Sequence, residues 1–201
     1  PLISTAKLDR ASEKRDDETW IASQLEHPQT RYVPLWRNRC LVKLPQHGVE
    51  KARSSTSAQA ILLSHDQIHP LDDSPHPPTL LGRQSGTSYF GVSVGDAMAG
   101  LLSKQYQAKF TDLRQVIDHL GQHEASLLAY AKAMHYWQHR HRFCGVCGQQ
   151  NQLFSAGHRM RCGAEECGRD TFPRIDPAII VLVTHCDENG EACLLGRHPS
   201  W

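Results

Sequence analysis

Cys144 and Cys147 form a Cys-x2-Cys pair, and after fourteen intervening residues Cys162 and Cys167 form a Cys-x4-Cys pair. Glycine flanks both, Gly145 and Gly148 on the first and Gly163 and Gly168 on the second, and lets the backbone make the tight knuckle that aims two sulfurs at one ion. Zinc suits such a set, because it asks only for close tetrahedral packing and takes four thiolates at about 2.3 Å. Four sulfurs close the shell and leave no position for an activated water, so the predicted role is structural. A binding free energy on the order of 10 kcal/mol stands in for the core that about 30 residues cannot build. An iron–sulfur centre draws on the same ligand type, whereas a redox dithiol calls for one pair in a βαβ setting, not two pairs. His139, His141 and His158 lie nearby, are superfluous once four cysteines are counted, and are expected on the solvated surface.

The chain has seven cysteines, an odd number. With this spacing, and with an opening, PLISTAKLDRASEKRDDETW, that lacks a basic-then-apolar leader, they point to reduced thiols and a cytoplasmic protein. No apolar run approaches the roughly twenty residues needed to cross a bilayer, so no membrane contact is expected. The first residue is Pro1, so the native start is expected to have been trimmed or to lie upstream. Lys and Arg total 22 against 21 Asp and Glu, which excludes a whole-chain field that would collect nucleic acid by charge alone. A length of 201 residues accommodates one ordinary domain and a small one. Cys40, inside an apolar strand, reads as a small core residue. If Asn189 and Gly190 form a type I′ turn, Cys186 and Cys193 fall directly opposite each other across a hairpin.

Along the chain, RASEKRDDETWIASQLEHP places Ala11, Trp20, Ile21 and Leu25 on a polar background, predicting a short peripheral helix stopped by Pro28. From Arg31 the pattern turns to strands: RYVPLWRNRCLVKL, QAILLSH, TLLGR and SYFGVSV, with loops at 45–59 and 69–79. Helical periodicity follows at VGDAMAGLLSKQ, and again from Asp112 as N-cap, with Leu113, Val116, Ile117 and Leu120 on one face before Gly121. A longer helix in EASLLAYAKAMHYWQHRHR carries the stripe Leu127, Tyr130, Ala131, Met134 and Trp137, which reads as core packing.

An internal echo is also present. AQAILLSHD followed by TLLGRQSG near the front resembles DPAIIVLVTHCDENGEACLLGRHPS at the end: an apolar strand ends in His-Asp or His-Cys-Asp, and a second ends in Leu-Leu-Gly-Arg. The last thirty or so residues therefore read as the opening hairpin of a second unit resembling the first, too small to be stable alone.

These residues together resemble a known family, the NADH pyrophosphatases of the Nudix hydrolase superfamily. The resemblance lies in HRHRFCGVCG, the second cysteine pair, and TFPRIDPAIIVLV followed by LLGR, and it reaches forward through TLLGRQSGTSYFGVSV and the ASLLAYAKAMHYWQHRHRF helix. It implies an α+β chain: an N-terminal Nudix-like mixed sheet with helices (residues 1–138), a small zinc ribbon (139–173), and the first β-hairpin of an incomplete catalytic Nudix domain (174–201). The activity implied is hydrolysis of the pyrophosphate of NADH or NAD to nicotinamide mononucleotide and AMP, and in some members removal of an NAD cap from RNA. A homodimer is implied, as is magnesium or manganese held by the glutamates of a Nudix box.

No stretch of the sequence satisfies that box, which runs Gly, five residues, Glu, seven residues, Arg-Glu, two residues, Glu-Glu. The Glu165–Glu166 pair lies inside the second knuckle and reads as exposed charge. No catalytic residue is therefore assigned, and the chain alone is expected to be inactive. Carried over by resemblance is Phe172, at the aromatic position before Pro-Arg that stacks on the nicotinamide ring; the alternative is a lid over the ribbon. The competing reading of the whole is a non-enzymatic ribbon module for nucleic-acid binding or dimerisation, using Arg140, Arg142, Arg159, Arg161, Arg169 and Arg174 with Trp137, Phe143, Phe154 and Phe172 for stacking.

Overall fold

The computed structural model describes residues 8–45, 58–68, 76–174, 179–188 and 190–196. Most of the loops expected at 45–59 and 69–79, and the Asp176–Pro177 entry to the last segment, lie outside the described residues.

The first helical segment is shorter than the sequence pattern predicts. A 3-10 turn at Ser12–Lys14 precedes α1 (Glu18–Leu25), and the Asp17 carboxylate accepts from Trp20 N at 2.9 Å as the N-cap. Ala11 is left in a left-handed conformation outside the helix, because the strong cap at Asp17 starts the helix late. Trp20, Ile21 and Leu25 still pack inward.

Next come β1 (Arg31–Trp36) and β2 (Arg39–Lys43), joined by Arg37 and Asn38 at φ 48° and 60°, the positive pair that a tight hairpin turn requires. Then follow β3 (Gln59–Ala60), a single helical turn α2 (His65–Ile68), β4 (Thr79–Gln84), β5 (Thr87–Ser93), α3 (Asp96–Tyr106) and β6 (Lys109–Thr111). Strand β6 carries no alternation the sequence reading could detect in three residues. The strand order is β3-β2-β1-β5-β4, with β6 also on β2; β1 and β5 run parallel and every other pair is antiparallel. This is the mixed α+β sheet expected.

Both faces of the sheet are covered. Val33, Leu35, Cys40, Val42 and Leu81 face α4 (Gln122–Arg140), while Tyr32, Leu41, Leu80, Phe90 and Val92 face α1 and α3. Two buried faces explain why the strands read as near-continuous apolar runs. Cys40 is the core residue expected, wholly buried with its thiol pushed up to about 12 by burial. The helix predicted from Asp112 is instead two 3-10 turns, Leu113–Gln115 and Ile117–His119; Asp112 caps the first by accepting from Arg114 N at 3.1 Å, and Leu113, Val116 and Leu120 are buried.

The front copy of the echo is not a hairpin. Strands β3 and β4 sit at opposite ends of the strand order and do not pair. The Leu-Leu-Gly-Arg of β4 has its own local cause: Gly82, at φ 142°, sits at a bulge where the backbone of Asp9 approaches, with Asp9 N to Arg83 O at 2.9 Å and Arg83 N to Asp9 O at 2.7 Å. Any Cβ there would collide with the Asp9 carbonyl.

At the C-terminal end β10 (Thr184–Asp187) and β11 (Gly190–Cys193) form the expected antiparallel hairpin, but in a different register. Cys186 pairs with Glu191 and Cys193 with Thr184, so the two cysteines are not opposite each other. Asp187 pairs with Gly190, so the turn comes one residue earlier than the Asn-Gly signal implies, and Gly190, at φ 122°, is the first residue of β11. Asn189 itself lies outside the described residues. Ile179 to Val183, Leu194 and Leu195 are all more than half exposed. No helix among the described residues is long and apolar enough to cross a membrane.

Candidate metal centre

Between residues 141 and 174 the chain makes β7 (Asn151–Phe154), a 3-10 turn (Ser155–Gly157), β8 (Arg159–Cys162) and β9 (Asp170–Thr171), an antiparallel three-stranded sheet ordered β7-β8-β9. Each cysteine pair sits on a knuckle beside this sheet. In the first, Gly148 N donates to Cys144 O at 2.9 Å and Gly148 adopts φ 74°; in the second, Gly168 N donates to Ala164 O at 2.9 Å and Gly168 adopts φ 50°. Those are two of the four glycines the spacing points to, and both occupy the left-handed region that glycine reaches most easily. Gly163 serves another purpose, since a Cβ there would stand 3.0 Å from the Gln150 carbonyl.

The knuckles bring Cys144, Cys147, Cys162 and Cys167 together, with all four sulfurs within 4.8 Å of one another. Cys144 and Cys167 are 3.8 Å apart and Cys147 and Cys162 3.3 Å. Four bonds of about 2.3 Å in tetrahedral array give edges of about 3.8 Å, so the cluster is compatible with a structural zinc ion and has the size of its shell. Backbone N–H groups of Cys147 and Val146 lower the Cys144 thiol to about 6. At Cys162 the Ala164 N–H, 3.5 Å from the sulfur, pulls the same way, but burial and the crowding thiols outweigh it and push that group up to about 12. A set of sulfurs that cannot all ionise side by side is one that a dication would deprotonate on binding. Glu165 and Glu166 are exposed, as expected of the second knuckle.

The ribbon is joined to the sheet unit through the C-terminal half of α4. Met134 and Trp137 from α4 bury against Met160 of β8, with Tyr130 and Leu153 at the edge. The Gln138 amide donates to Thr79 Oγ1 and to Gly157 O, both at 2.8 Å. Gly157, at φ 89°, lies so close to Thr79 that a Cβ would be 2.5 Å from its hydroxyl. His158 departs from the expected solvated position: it is 7% exposed, its Nε2 is 2.9 Å from Tyr130 Oη, and the Arg10 guanidinium lies 3.6 Å above the Tyr130 ring. Burial, together with the Arg15 charge, lowers its pKa to about 4. A docking contact between two units leaves no spacing signal, because its partners, residues 79, 130, 138 and 158, lie far apart in sequence. Of the other two histidines, His139 is exposed and His141 Nδ1 donates to Trp137 O at 2.8 Å.

The arginine–aromatic set resolves unevenly. Trp137 is buried at the joint and so is not available for stacking. Phe143, Phe154 and Phe172 are 59%, 37% and 57% exposed, and Arg142 stands over Phe143 while Arg159 and Arg161 flank Phe154. Arg161 makes a two-pronged pair with Asp170 at 2.8 and 3.0 Å, and Arg159 lies 3.8 Å from the same carboxylate. Asp170 therefore offsets much of the positive charge on that face. Phe172 follows β9 directly and its ring is outside the Met134–Trp137–Met160 cluster.

A mixed two-faced sheet carrying a four-cysteine ribbon on its last helix defines the class. A family model described as "NADH pyrophosphatase-like rudimentary NUDIX domain" matches residues 29–137, and the chain belongs to that family. Among curated proteins, it is similar to the NAD-capped RNA hydrolase NUDT12 of Homo sapiens, 25% identical over 226 residues covering 97% of this chain and 48% of NUDT12. It is similar also to the NAD-capped RNA hydrolase NudC of Stutzerimonas stutzeri, 38% identical over 92 residues, 46% of this chain and 31% of that protein. A third relative is the chloroplastic Nudix hydrolase 19 of Arabidopsis thaliana, 32% identical over 98 residues, 46% of this chain and 22% of the relative. The chain thus spans about half of NUDT12 and under a third of NudC.

Proposed function

We propose that this chain is the rudimentary NUDIX and zinc-ribbon part of an NAD(H) diphosphatase, which hydrolyses the pyrophosphate of NADH, NAD or the NAD cap of RNA to leave nicotinamide mononucleotide and AMP or the RNA 5′-phosphate. The observation that carries the reading is a four-sulfur ribbon that packs through Met160 on the last helix of a rudimentary NUDIX sheet. The names of the relatives, NAD-capped RNA hydrolases, supply the substrate class.

In this reading residues 1–138 are the rudimentary domain, 139–173 the ribbon, and 174–201 the opening of a catalytic Nudix domain, in a cytoplasmic homodimer. Zinc on Cys144, Cys147, Cys162 and Cys167 supplies cross-linking and no chemistry, since the thiolates fill its shell. Magnesium or manganese belongs with a Nudix box; the glutamates of this chain do not fit one, so no step through that metal is assigned to its residues. Phe172, exposed where the chain leaves the ribbon, is the proposed platform for the nicotinamide ring.

The test is NADH hydrolysis with magnesium by the 201-residue chain and by a chain extended past Trp201 through a Nudix box. The short chain is expected to be inactive and the long one to release both mononucleotides, with Phe172→Ala raising KM more than it lowers kcat. Turnover by the short chain, or none on any dinucleotide by the long one, overturns the reading.

A further inference from the structure

Between α4 and the segment that follows β6 lies an open groove of about 730 Å³, a size that receives small organic ligands. One wall is α4, where residues 129, 132, 133 and 136 fall on a single face at helical spacing. The opposite wall is the Asp112–Ile117 segment, and the β1–β2 turn closes the end with Asn38. Leu113 and Ile117 form an apolar floor with Ala129.

The polar groups in it are of three kinds. Arg114 is exposed and Lys132 is four-fifths buried, so two cations line a groove whose one carboxylate is Asp112. Asp112 already uses Oδ1 twice, for Lys132 Nζ at 2.8 Å and Arg114 N at 3.1 Å, which leaves Oδ2 for a further donor. Asn38 Oδ1 is buried without a hydrogen-bond partner. At the rim Tyr136 is half exposed, with Arg140 6.0 Å from its ring centre.

A net positive groove with an arginine fork, a carboxylate and an amide oxygen in need of donors, and an aromatic rim over an apolar floor matches one ligand chemistry: an anionic phosphate, a sugar with free hydroxyls and a flat base. We propose that this groove of the rudimentary NUDIX domain binds a nucleoside monophosphate, with Arg114 on the phosphate, Asp112 on a ribose hydroxyl and Tyr136 against the base. Neither the zinc cluster nor any hydrolysis is involved.

The experiment is isothermal titration of the zinc-loaded 201-residue chain with AMP, adenosine and inorganic phosphate. AMP is expected to bind saturably at one site, about tenfold or more tighter than either fragment, as one charge-assisted contact warrants. Arg114→Ala weakens AMP by about tenfold, and Ala133→Trp, at an exposed position that only the groove uses, abolishes binding while the thermal transition is unchanged. Absence of saturable AMP binding, AMP no tighter than inorganic phosphate or adenosine, or AMP binding indifferent to Ala133→Trp overturns the proposal. None of these readouts passes through NADH hydrolysis, so the outcome stands whatever that assay returns.

Discussion

In the six-stranded unit, Tyr32, Val33, Leu41, Leu80 and Phe90 are each at most 2% exposed and are packed between helices on both sides. In the ribbon the only large apolar side chain buried to that degree is Met160, and it leans on α4; the other buried side chains there are His158 and two of the clustered cysteines. The sheet unit has enough length to exclude water from two faces, and its shape follows from apolar area. The ribbon has no such area, so its shape follows from four sulfurs and from the surface it borrows from α4. Apolar burial is spread over many residues and fails gradually, whereas a ligand set fails with any one member.

The sharpest way to break that contrast is Cys162→Ser. Removing one ligand of four is expected to forfeit most of a binding free energy on the order of 10 kcal/mol. Zinc content should fall from one per chain to near zero and the amide signals of residues 141–174 should collapse, while those of the sheet unit persist. Collapse of the whole spectrum would show that the sheet unit depends on the metal as well.

The converse substitution is Leu128→Ala, at a wholly buried position of α4 against the sheet. A loss of about 3–5 kcal/mol is expected in the unfolding free energy by chemical denaturation. Zinc stoichiometry under native conditions should stay at one, and a fall there would mean the two units are not separable.

The smallest effect falls at the joint. His158 is held neutral by burial, with its pKa lowered to about 4. The unfolded chain takes up that proton near pH 6.5 and the folded one only near 4, so stability is complete above about 6.5 and declines as the pH drops between the two values. From pH 7 to pH 5 this costs about 2 kcal/mol. In zinc-saturated protein, His158→Gln is expected to flatten the pH dependence of the melting temperature, leaving the share of His135, which burial also lowers to about 4. An unchanged slope would remove His158 from the account.

Much of this was readable from local pattern. The Cys-x2-Cys and Cys-x4-Cys spacing named the four residues that converge, because knuckle geometry is a property of a few consecutive residues. The strands at 31–43 and 79–93 and the apolar stripe of α4 were likewise legible from apolar runs and turn signals. The misreadings have specific causes. The Asp112–Leu120 run has helical spacing, yet 3-10 turns bury the same leucines. The hairpin register moved by one residue because Gly190, expected in the turn with Asn189, instead begins β11 and pairs with Asp187. His158 looked like a surface group, since nothing in its neighbourhood announces a second unit packing on it.

The amino-acid order by itself determined which residues could grip a metal, where the two-faced sheet lies and which family pattern the chain carries, all of them local or periodic properties of the covalent chain. Only the tertiary structure decided that β3 and β4 take opposite ends of the sheet, that the ribbon is fastened through Gln138, Gly157 and His158, and that α4 and the Asp112 segment enclose a charged groove. Those features depend on contacts between residues tens of positions apart, whose free energy exists only once the chain has closed on itself.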